Sequence, residues 1–216
     1  MNMKEIIQDA MKALAKKRMI FCSEGDFQYH LANAIKRQGK GNLEIFLEYK
    51  RVDICVYDKK NKKNIKKYFI ELKYKTSKLN CKRNGMEYFL TNQSAQNNGR
   101  HDFFEDINEL ENIENIEEEN PECSFALFLT NDHLYWKGGA KGKGKAFCIK
   151  DEREIKGETT YKYTNSNNEN SKHTAPVKIK NTYKCEWVQY LSSKKDKNSE
   201  FKYLLLQIPP EEKNKN

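Results

Sequence analysis

The chain has 216 residues, of which 37% are hydrophobic and 33% charged, and its formal net charge at pH 7 is +9. No run of about 18 apolar residues occurs, which excludes a membrane-spanning helix, and Glu5 and Asp9 interrupt the apolar N-terminal positions, which argues against a secretory signal peptide. The closest two of the six cysteines, Cys123 and Cys148, are 25 residues apart, so neither zinc-ligand nor disulfide spacing occurs. We expect reduced, mostly buried thiols and a cytoplasmic location.

Two helices are predicted near the N-terminus. Apolar side chains recur at helical spacing over residues 3–17, at Ile6, Ile7, Ala10, Met11 and Leu14. Ser23 followed by Asp26 resembles a capping box in which Asp replaces Glu, and it predicts the start of a second helix over residues 24–38. Gly39 and Gly41 are expected to end that helix.

Three strands are predicted next, over residues 43–49, 51–57 and 65–75, with the polar run 59–64 as the turn between the last two. Paired residues of an antiparallel hairpin have a constant sum of residue numbers. A turn centred on Lys62 gives a sum of 124, which places Asp53 opposite Glu71. Directly opposed residues lie about 4.5–5.5 Å apart at Cα.

The rest of the chain predicts a helix over residues 94–116, with Gly99 as a place of interruption, and a strand over 123–130 that is covered on both faces. Residues 137–145 and 159–175 are predicted loops, and 183–191 and 201–208 are predicted final strands. We expect a single α/β domain over 1–208, with a mixed β-sheet flanked by helices, and a disordered tail over 209–216.

The feature that points to chemistry is Asp53 together with Glu71-Leu72-Lys73. Glu71 and Lys73 are two residues apart on a strand, so they share one face. Two carboxylates that meet on this face repel each other unless a cation lies between them. Oxygen ligands of this kind suit Mg²⁺ or Mn²⁺, and a neighbouring lysine can orient water and offset phosphate charge. This is the equipment of metal-assisted phosphodiester hydrolysis.

Other interpretations of the same residues stay open. An exposed ladder of Asp, Lys and Glu on an edge hairpin would produce the same pattern without function. Glu48-Tyr49-Lys50 is a rival acidic-x-Lys motif, but no predicted strand precedes it to supply a partner aspartate.

Three segments in chain order carry a resemblance to a known family: a helix with Glu24, then Arg51-Val52-Asp53-Ile54, then Phe69-Ile70-Glu71-Leu72-Lys73. Together they resemble the PD-(D/E)xK nuclease superfamily, which has the restriction-endonuclease-like fold. The resemblance covers residues 20–130 and implies an α-β-β-β-α-β core, with extra C-terminal strands after it. Val52 stands where the family has proline. The resemblance implies these metal ligands and catalytic residues: Asp53, Glu71, the Leu72 carbonyl, Lys73 as the catalytic lysine, and Glu24.

Two side chains of the second predicted helix are candidates for the site, because Glu24 and Gln28 are four residues apart on one helical face. Either side chain can reach a metal on the neighbouring sheet. Glu24 in the first helical turn would also stabilise the helix dipole without any role in catalysis.

Charge is segregated along the chain. Residues 59–83 contain eleven basic residues and one acidic residue, whereas 105–122 contain nine acidic residues and no basic one. We expect DNA phosphates to bind the basic residues nearest the end of the third strand, namely Lys75, Lys78, Lys82 and Arg83.

The segment 90–103 is similar to the downstream part of uncharacterised bacterial members of the superfamily. That similarity implies that Gln96, Arg100 and Asp102 lie near the active face. Gln and Arg at a helix start can bind phosphate or a base edge. Local helix capping by Ser94 and a surface salt bridge are the alternative.

The function expected from these patterns is a Mg²⁺-dependent endonuclease that cuts DNA, in double-stranded form, as a restriction-type enzyme does. Symmetric cleavage of a duplex favours a homodimer, although no coiled-coil signature is present. The alternatives are a non-enzymatic nucleic-acid-binding protein that retains the fold, and an interaction protein whose acidic helix docks a basic partner.

Overall fold

A central six-stranded mixed sheet organises this computed structural model, which describes residues 2–17, 20–113, 120–140, 142–163, 175–192 and 198–210. The strand order is β1-β2-β3-β6-β12-β11, and every neighbouring pair is antiparallel except β3 and β6. The helices and the strands of this sheet are α1 (Met3–Lys17), α2 (Glu24–Gln38), α3 (Gln96–Glu111), β1 (Leu43–Tyr49), β2 (Val52–Asp58), β3 (Lys66–Lys75), β6 (Cys123–Thr130), β11 (Trp187–Leu191) and β12 (Phe201–Ile208).

Three two-stranded ribbons lie outside this sheet. They are formed by β4 (Leu79–Arg83) with β5 (Met86–Leu90), β7 (Glu154–Ile155) with β10 (Tyr183–Lys184), and β8 (Thr159–Tyr161) with β9 (Val177–Ile179). A short 3₁₀ helix, Gly142–Phe147, lies between β6 and β7. No helix within the described residues has the length and apolar character needed to cross a membrane.

The two predicted N-terminal helices are confirmed. The apolar stripe of α1 is buried against the sheet because its side chains recur once per turn. The Ser23 hydroxyl accepts a hydrogen bond from the backbone N–H of Asp26, which is the predicted cap of α2. The carboxylate of Asp26 accepts its reciprocal hydrogen bond from the N–H of Cys22, one residue before the N-cap.

The sheet is covered on both faces, which divides the core into two halves. One face of the sheet, with Ile54, Ile70 and Leu72, packs against α1 and α2. The other face, with Cys55 and Phe69, packs against α3 and the two C-terminal ribbons, β7 with β10 and β8 with β9. All eight residues of β6 are buried, as predicted from its unbroken apolar run. The side chains of Asp53, Glu71 and Lys73 therefore lie on the face of the sheet that α3 covers.

The register of the β2–β3 hairpin is the predicted one. Ile54 pairs with Ile70 and Tyr57 pairs with Lys67, so the residue numbers sum to 124. Extending this register places Asp53 opposite Glu71, one position beyond the last ladder pair, Ile54 with Ile70. The alternation of side chains fixes both residues on the same face.

Several boundaries differ from those expected. The helix predicted over 94–116 is α3, which ends at Glu111, and residues 114–116 of that prediction lie outside the described residues. Gly99 does not interrupt α3. A Cβ at this position would lie 2.5 Å from the Tyr135 hydroxyl, so glycine allows the helix to pack closely against that ring.

The loop predictions need a similar correction. The predicted loop 137–145 contains the start of the 3₁₀ helix, and the predicted loop 159–175 contains β8, while 164–174 lie outside the described residues. The predicted strand 183–191 is divided between two sheets, as β10 and β11. Residues 211–216 of the predicted tail lie outside the described residues.

The C-terminal end of α3 is anchored by one buried carboxylate. Glu111 accepts hydrogen bonds from the backbone N–H groups of Lys180 and Asn181 and from the Tyr183 hydroxyl, at 2.7 Å each. Part of the acidic run 105–122 therefore faces inward, so this part of the run is not a surface for a basic partner.

Candidate functional site

The carboxyl groups of Asp53 and Glu71 meet on the α3 side of the sheet. They hydrogen-bond to each other, and Asp53 Oδ2 also accepts a hydrogen bond of 2.6 Å from the backbone N–H of Leu72. Glu24 of α2 also accepts a hydrogen bond from the backbone of β3, two residues further along. Its Oε2 lies 2.6 Å from the N–H nitrogen of Tyr74. Two side-chain carboxylates thus accept hydrogen bonds from β3 beyond Ile70, where its backbone pairing with β2 stops.

Burial and mutual repulsion govern the protonation of this pair. Burial, and then the adjacent Asp53 charge, raise the pKa of Glu71 to about 10. Burial raises the pKa of Asp53 too, but Asp53 also accepts the Leu72 N–H bond, which favours its ionised form. The metal-free pair therefore holds one proton, mainly on Glu71, in the place where a cation would balance both charges.

Lys73 is held by a partner that the sequence interpretation missed. Its Nζ lies 3.1 Å from Asp106 Oδ2 of α3, and both side chains are largely buried. Burial alone would lower the pKa of Lys73, but Asp106 and Glu24 outweigh it and raise that pKa above its ordinary value. Lys73 is therefore cationic in the metal-free protein, beside Asp106, whose own pKa is raised to about 7 by burial.

A signal for Asp106 was present in the sequence. Phe103, Ile107 and Leu110 mark the buried stripe of α3, and Asp106 is three residues after Phe103 and four before Leu110. That spacing puts Asp106 at the border of the buried face, beside the sheet. The surrounding acidic run favoured a solvent-exposed interpretation instead.

Gln28 and Glu24 both reach this region, through separate hydrogen bonds. Gln28 Nε2 donates to Glu48 Oε1 at 2.6 Å and to the backbone carbonyl of Asp53 at 2.7 Å. Glu48, from the rival motif, thus lies at the site as a neighbour of Asp53. Burial is the main cause that raises the pKa of Glu24.

The backbone next to Asp53 is strained. Glu48, Lys50 and Arg51 have φ values of 52°, 51° and 61°, in the left-handed region that non-glycine residues rarely adopt. Strain of this kind is concentrated at functional sites. A cavity of about 40 Å³ lies between this turn, Glu71 and α3, and it is large enough to hold water.

The predicted phosphate-binding residues lie at the last residue of β3, Lys75, and in β4 and the segment before it. Lys78 and Lys82 are exposed, whereas Lys75 and Arg83 are half-buried. Lys75 lines a surface groove together with Glu24 and the β5 residue Phe89, whose side chain is 71% exposed. The β4–β5 ribbon that carries Phe89 was not predicted, and it places an exposed aromatic ring beside basic residues.

The residues at the start of α3 that were predicted to bind nucleic acid have mostly partners within the protein. Arg100 is 4% exposed, donates to the Leu134 carbonyl at 2.7 Å and lies over the Tyr135 ring, so its guanidinium is not presented to a phosphate. Gln96 Nε2 donates to Asp132 Oδ2 at 2.9 Å. The predicted cap at Ser94 is wrong, because the N-cap is Ala95 and no side chain caps the helix.

Asp102 lies on the side of α3 that approaches Lys73 and contributes to raising the pKa of that lysine. Among the described residues, one group of three has ligand atoms that all lie within 4.8 Å of one another: His101, Asp102 and Glu105. This group shares no residue with the predicted metal ligands of β2 and β3.

The chain matches no protein-family model, and no curated protein or solved structure shows significant similarity to it.

Proposed function

We propose that this protein is a Mg²⁺-dependent nuclease that hydrolyses phosphodiester bonds of DNA, with the restriction-endonuclease-like fold. The observation that carries the proposal is the contact between the Asp53 and Glu71 carboxyl groups beside the cationic Lys73. The order α2-β1-β2-β3-α3-β6 supports it, since it follows the helix, three strands, helix and strand of that fold, with the β4–β5 ribbon inserted before α3.

The donor set at this position fits a hard divalent cation. Asp53 and Glu71 supply carboxylate oxygens, and the carbonyl of Leu72 faces the same edge as its N–H, which is bonded to Asp53. These residues would hold Mg²⁺. Bound Mg²⁺ supplies Lewis-acid activation of water and neutralises charge on the phosphate.

Lys73 provides the second positive charge of the site. Its ammonium group can donate hydrogen bonds to a phosphate oxygen and to the attacking water, and so stabilise charge that develops in the transition state. Asp106 holds the amine in place and keeps it protonated.

A cleavage assay run beside a gel-shift assay tests the proposal. With supercoiled and linear duplex DNA, we expect cleavage in Mg²⁺ or Mn²⁺, none in EDTA, and binding in both conditions. Metal-independent binding without cleavage in any divalent cation would show a binding protein instead of a nuclease.

Replacement of Asp106 should reduce cleavage without removing a metal ligand. Asp106→Asn takes away the charge that holds Lys73, and we expect kcat to fall about 10–100-fold with little change in KM, as for other outer partners of catalytic groups. Asp106→Glu, which keeps the charge, should recover part of the loss. Equal kcat values for wild type and a folded Asp106→Asn variant would contradict this positioning role.

DNA binding should depend on the exposed lysines of the β4–β5 region. The double variant Lys78→Ala, Lys82→Ala should bind duplex DNA more weakly, whatever its sequence. Each phosphate contact that is lost should reduce the slope of log K against log salt by about 0.9. The matched control is Lys62→Ala, Lys63→Ala, in the turn at the opposite end of the β2–β3 hairpin. Equal slopes for the two double variants would exclude this surface.

A further inference from the structure

We propose that His101, Asp102 and Glu105 of α3 form a second metal site, which binds a divalent transition metal of the zinc class. Each residue offers one ligand atom, and these atoms all lie within 4.8 Å of one another. His101 and Glu105 are one helical turn apart, so their side chains lie on one face. The proposal does not depend on nuclease function.

The hydrogen bonding of His101 leaves one ring nitrogen without a hydrogen-bond partner. The side chain is fully buried, and Nε2 lies 2.8 Å from the backbone carbonyl of Ala175. A carbonyl only accepts, so Nε2 carries the hydrogen and Nδ1 of the neutral ring has a free lone pair. Nδ1 makes no hydrogen bond and lies 3.4 Å from Glu105 Oε2.

The buried Nδ1 of His101 thus faces a half-buried carboxylate oxygen, an arrangement in which a bound cation is favourable. Histidine ligands of metals almost always donate their second ring N–H to a carbonyl or carboxylate, as His101 does to Ala175. The ring of His101 is further fixed by Phe147 and Tyr163, whose centroids lie 4.9 and 5.7 Å away. The histidine is therefore pre-oriented for binding.

The ligand chemistry separates this site from the one on β2 and β3. An imidazole nitrogen with two carboxylates suits Zn²⁺, whereas Mg²⁺ and Ca²⁺ prefer oxygen ligands alone. Zn²⁺ ligands at about 2.0–2.2 Å from the metal require only a small closure of these side chains. Three protein ligands leave a fourth position for water.

The test uses the full chain with Asp53→Asn and Glu71→Gln, which removes the proposed magnesium ligands. Zn²⁺ titration by calorimetry and metal analysis after dialysis should give one Zn²⁺ per chain, with a higher melting temperature on binding. Excess Mg²⁺ should not displace the metal. Addition of Glu105→Gln, which alters a half-buried side chain, should weaken Zn²⁺ affinity at least tenfold, and so should Asp102→Asn.

The matched control is His30→Gln in the same background. His30 and Asp26 form a similar pair one turn apart on α2, at 3.3 Å, and this variant should bind Zn²⁺ with unchanged affinity. Absence of bound Zn²⁺ in the parent protein would overturn the proposal. So would an unchanged affinity in a folded Glu105→Gln protein.

Discussion

Asp53→Ala and Lys73→Ala should each abolish cleavage of DNA in Mg²⁺ while binding of the duplex persists. Asp53→Ala removes a proposed metal ligand, and Lys73→Ala removes the cation that faces the phosphate but leaves both carboxyl groups. The loss of one such charged group typically lowers kcat by about 10²–10³-fold. Binding should survive because it depends on remote phosphate contacts. Without metal, Asp53→Ala should bind DNA more tightly than wild type, because a negative charge is lost.

Lys67→Ala is a matched control for the lysine variant. Lys67 lies on the same strand and the same face as Lys73, six residues before it, and pairs with Tyr57 of β2. Its removal should leave the cleavage rate within about twofold of wild type. Thermal melts must accompany each assay, since Asp53→Ala leaves the Leu72 N–H without its partner. Asp53→Asn keeps an acceptor for this N–H and separates loss of the fold from loss of the ligand.

The result that would rule out the mechanism is clear. A well-folded Asp53→Ala or Lys73→Ala protein that cleaves at the wild-type rate in Mg²⁺ cannot have its active centre at this position. Loss of cleavage in Lys67→Ala alone would point to a different centre on β3.

Glu71→Gln should stabilise the metal-free protein at neutral and alkaline pH. The pKa of Glu71 is raised to about 10 in the folded protein, mainly by burial and then by Asp53, whereas an unfolded glutamate has a pKa near 4.5. Between these two values the folded state holds a proton that the unfolded state has released. The free energy of unfolding therefore falls as the pH rises through this window.

Glutamine carries no charge, so Glu71→Gln removes this pH dependence. In EDTA at pH 9 we expect the variant to be more stable than wild type by several kcal/mol and to melt at a clearly higher temperature. At pH 4.5 the two proteins should melt at nearly the same temperature. Mg²⁺ should raise the melting temperature of wild type but have little effect on the variant.

The control for this experiment is Glu44→Gln, an exposed glutamate of β1 paired with Lys59, which should show no such gain. A Glu71→Gln protein that is less stable than wild type at pH 9 would show that the carboxylate is structural. A gain in stability on replacing Glu71 would fit the trade-off between stability and activity that is expected at an active site.

Contacts that are local in the chain could be predicted from the sequence. The cap at Ser23, the apolar stripe of α1 and the β2–β3 register follow from side chains a few residues apart or joined by a short turn. Alternation in a hairpin has a period of two residues, so the register decides which side chains share a face. The meeting of Asp53 and Glu71 was predictable for this reason.

Contacts between distant segments depended on how the elements pack. Lys73 meets Asp106 because α3 crosses β3, and the parallel pairing of β3 with β6 joins strands separated by two ribbon strands and a helix. No local pattern reports such a crossing, since many packings satisfy the same periodicity. The inward turn of Arg100 toward Leu134 was missed for the same reason.

The sequence by itself determined the α/β class, the helices and strands as far as β3 and one pair of facing carboxylates. Only the tertiary structure decided that Lys73 is a largely buried side chain paired with Asp106 and that His101 has one ring nitrogen bonded to Ala175. Both properties arise from burial and from partners 33 and 74 residues away. Free energies of desolvation and ion pairing depend on the complete packed environment, which a pattern of neighbouring residues does not contain.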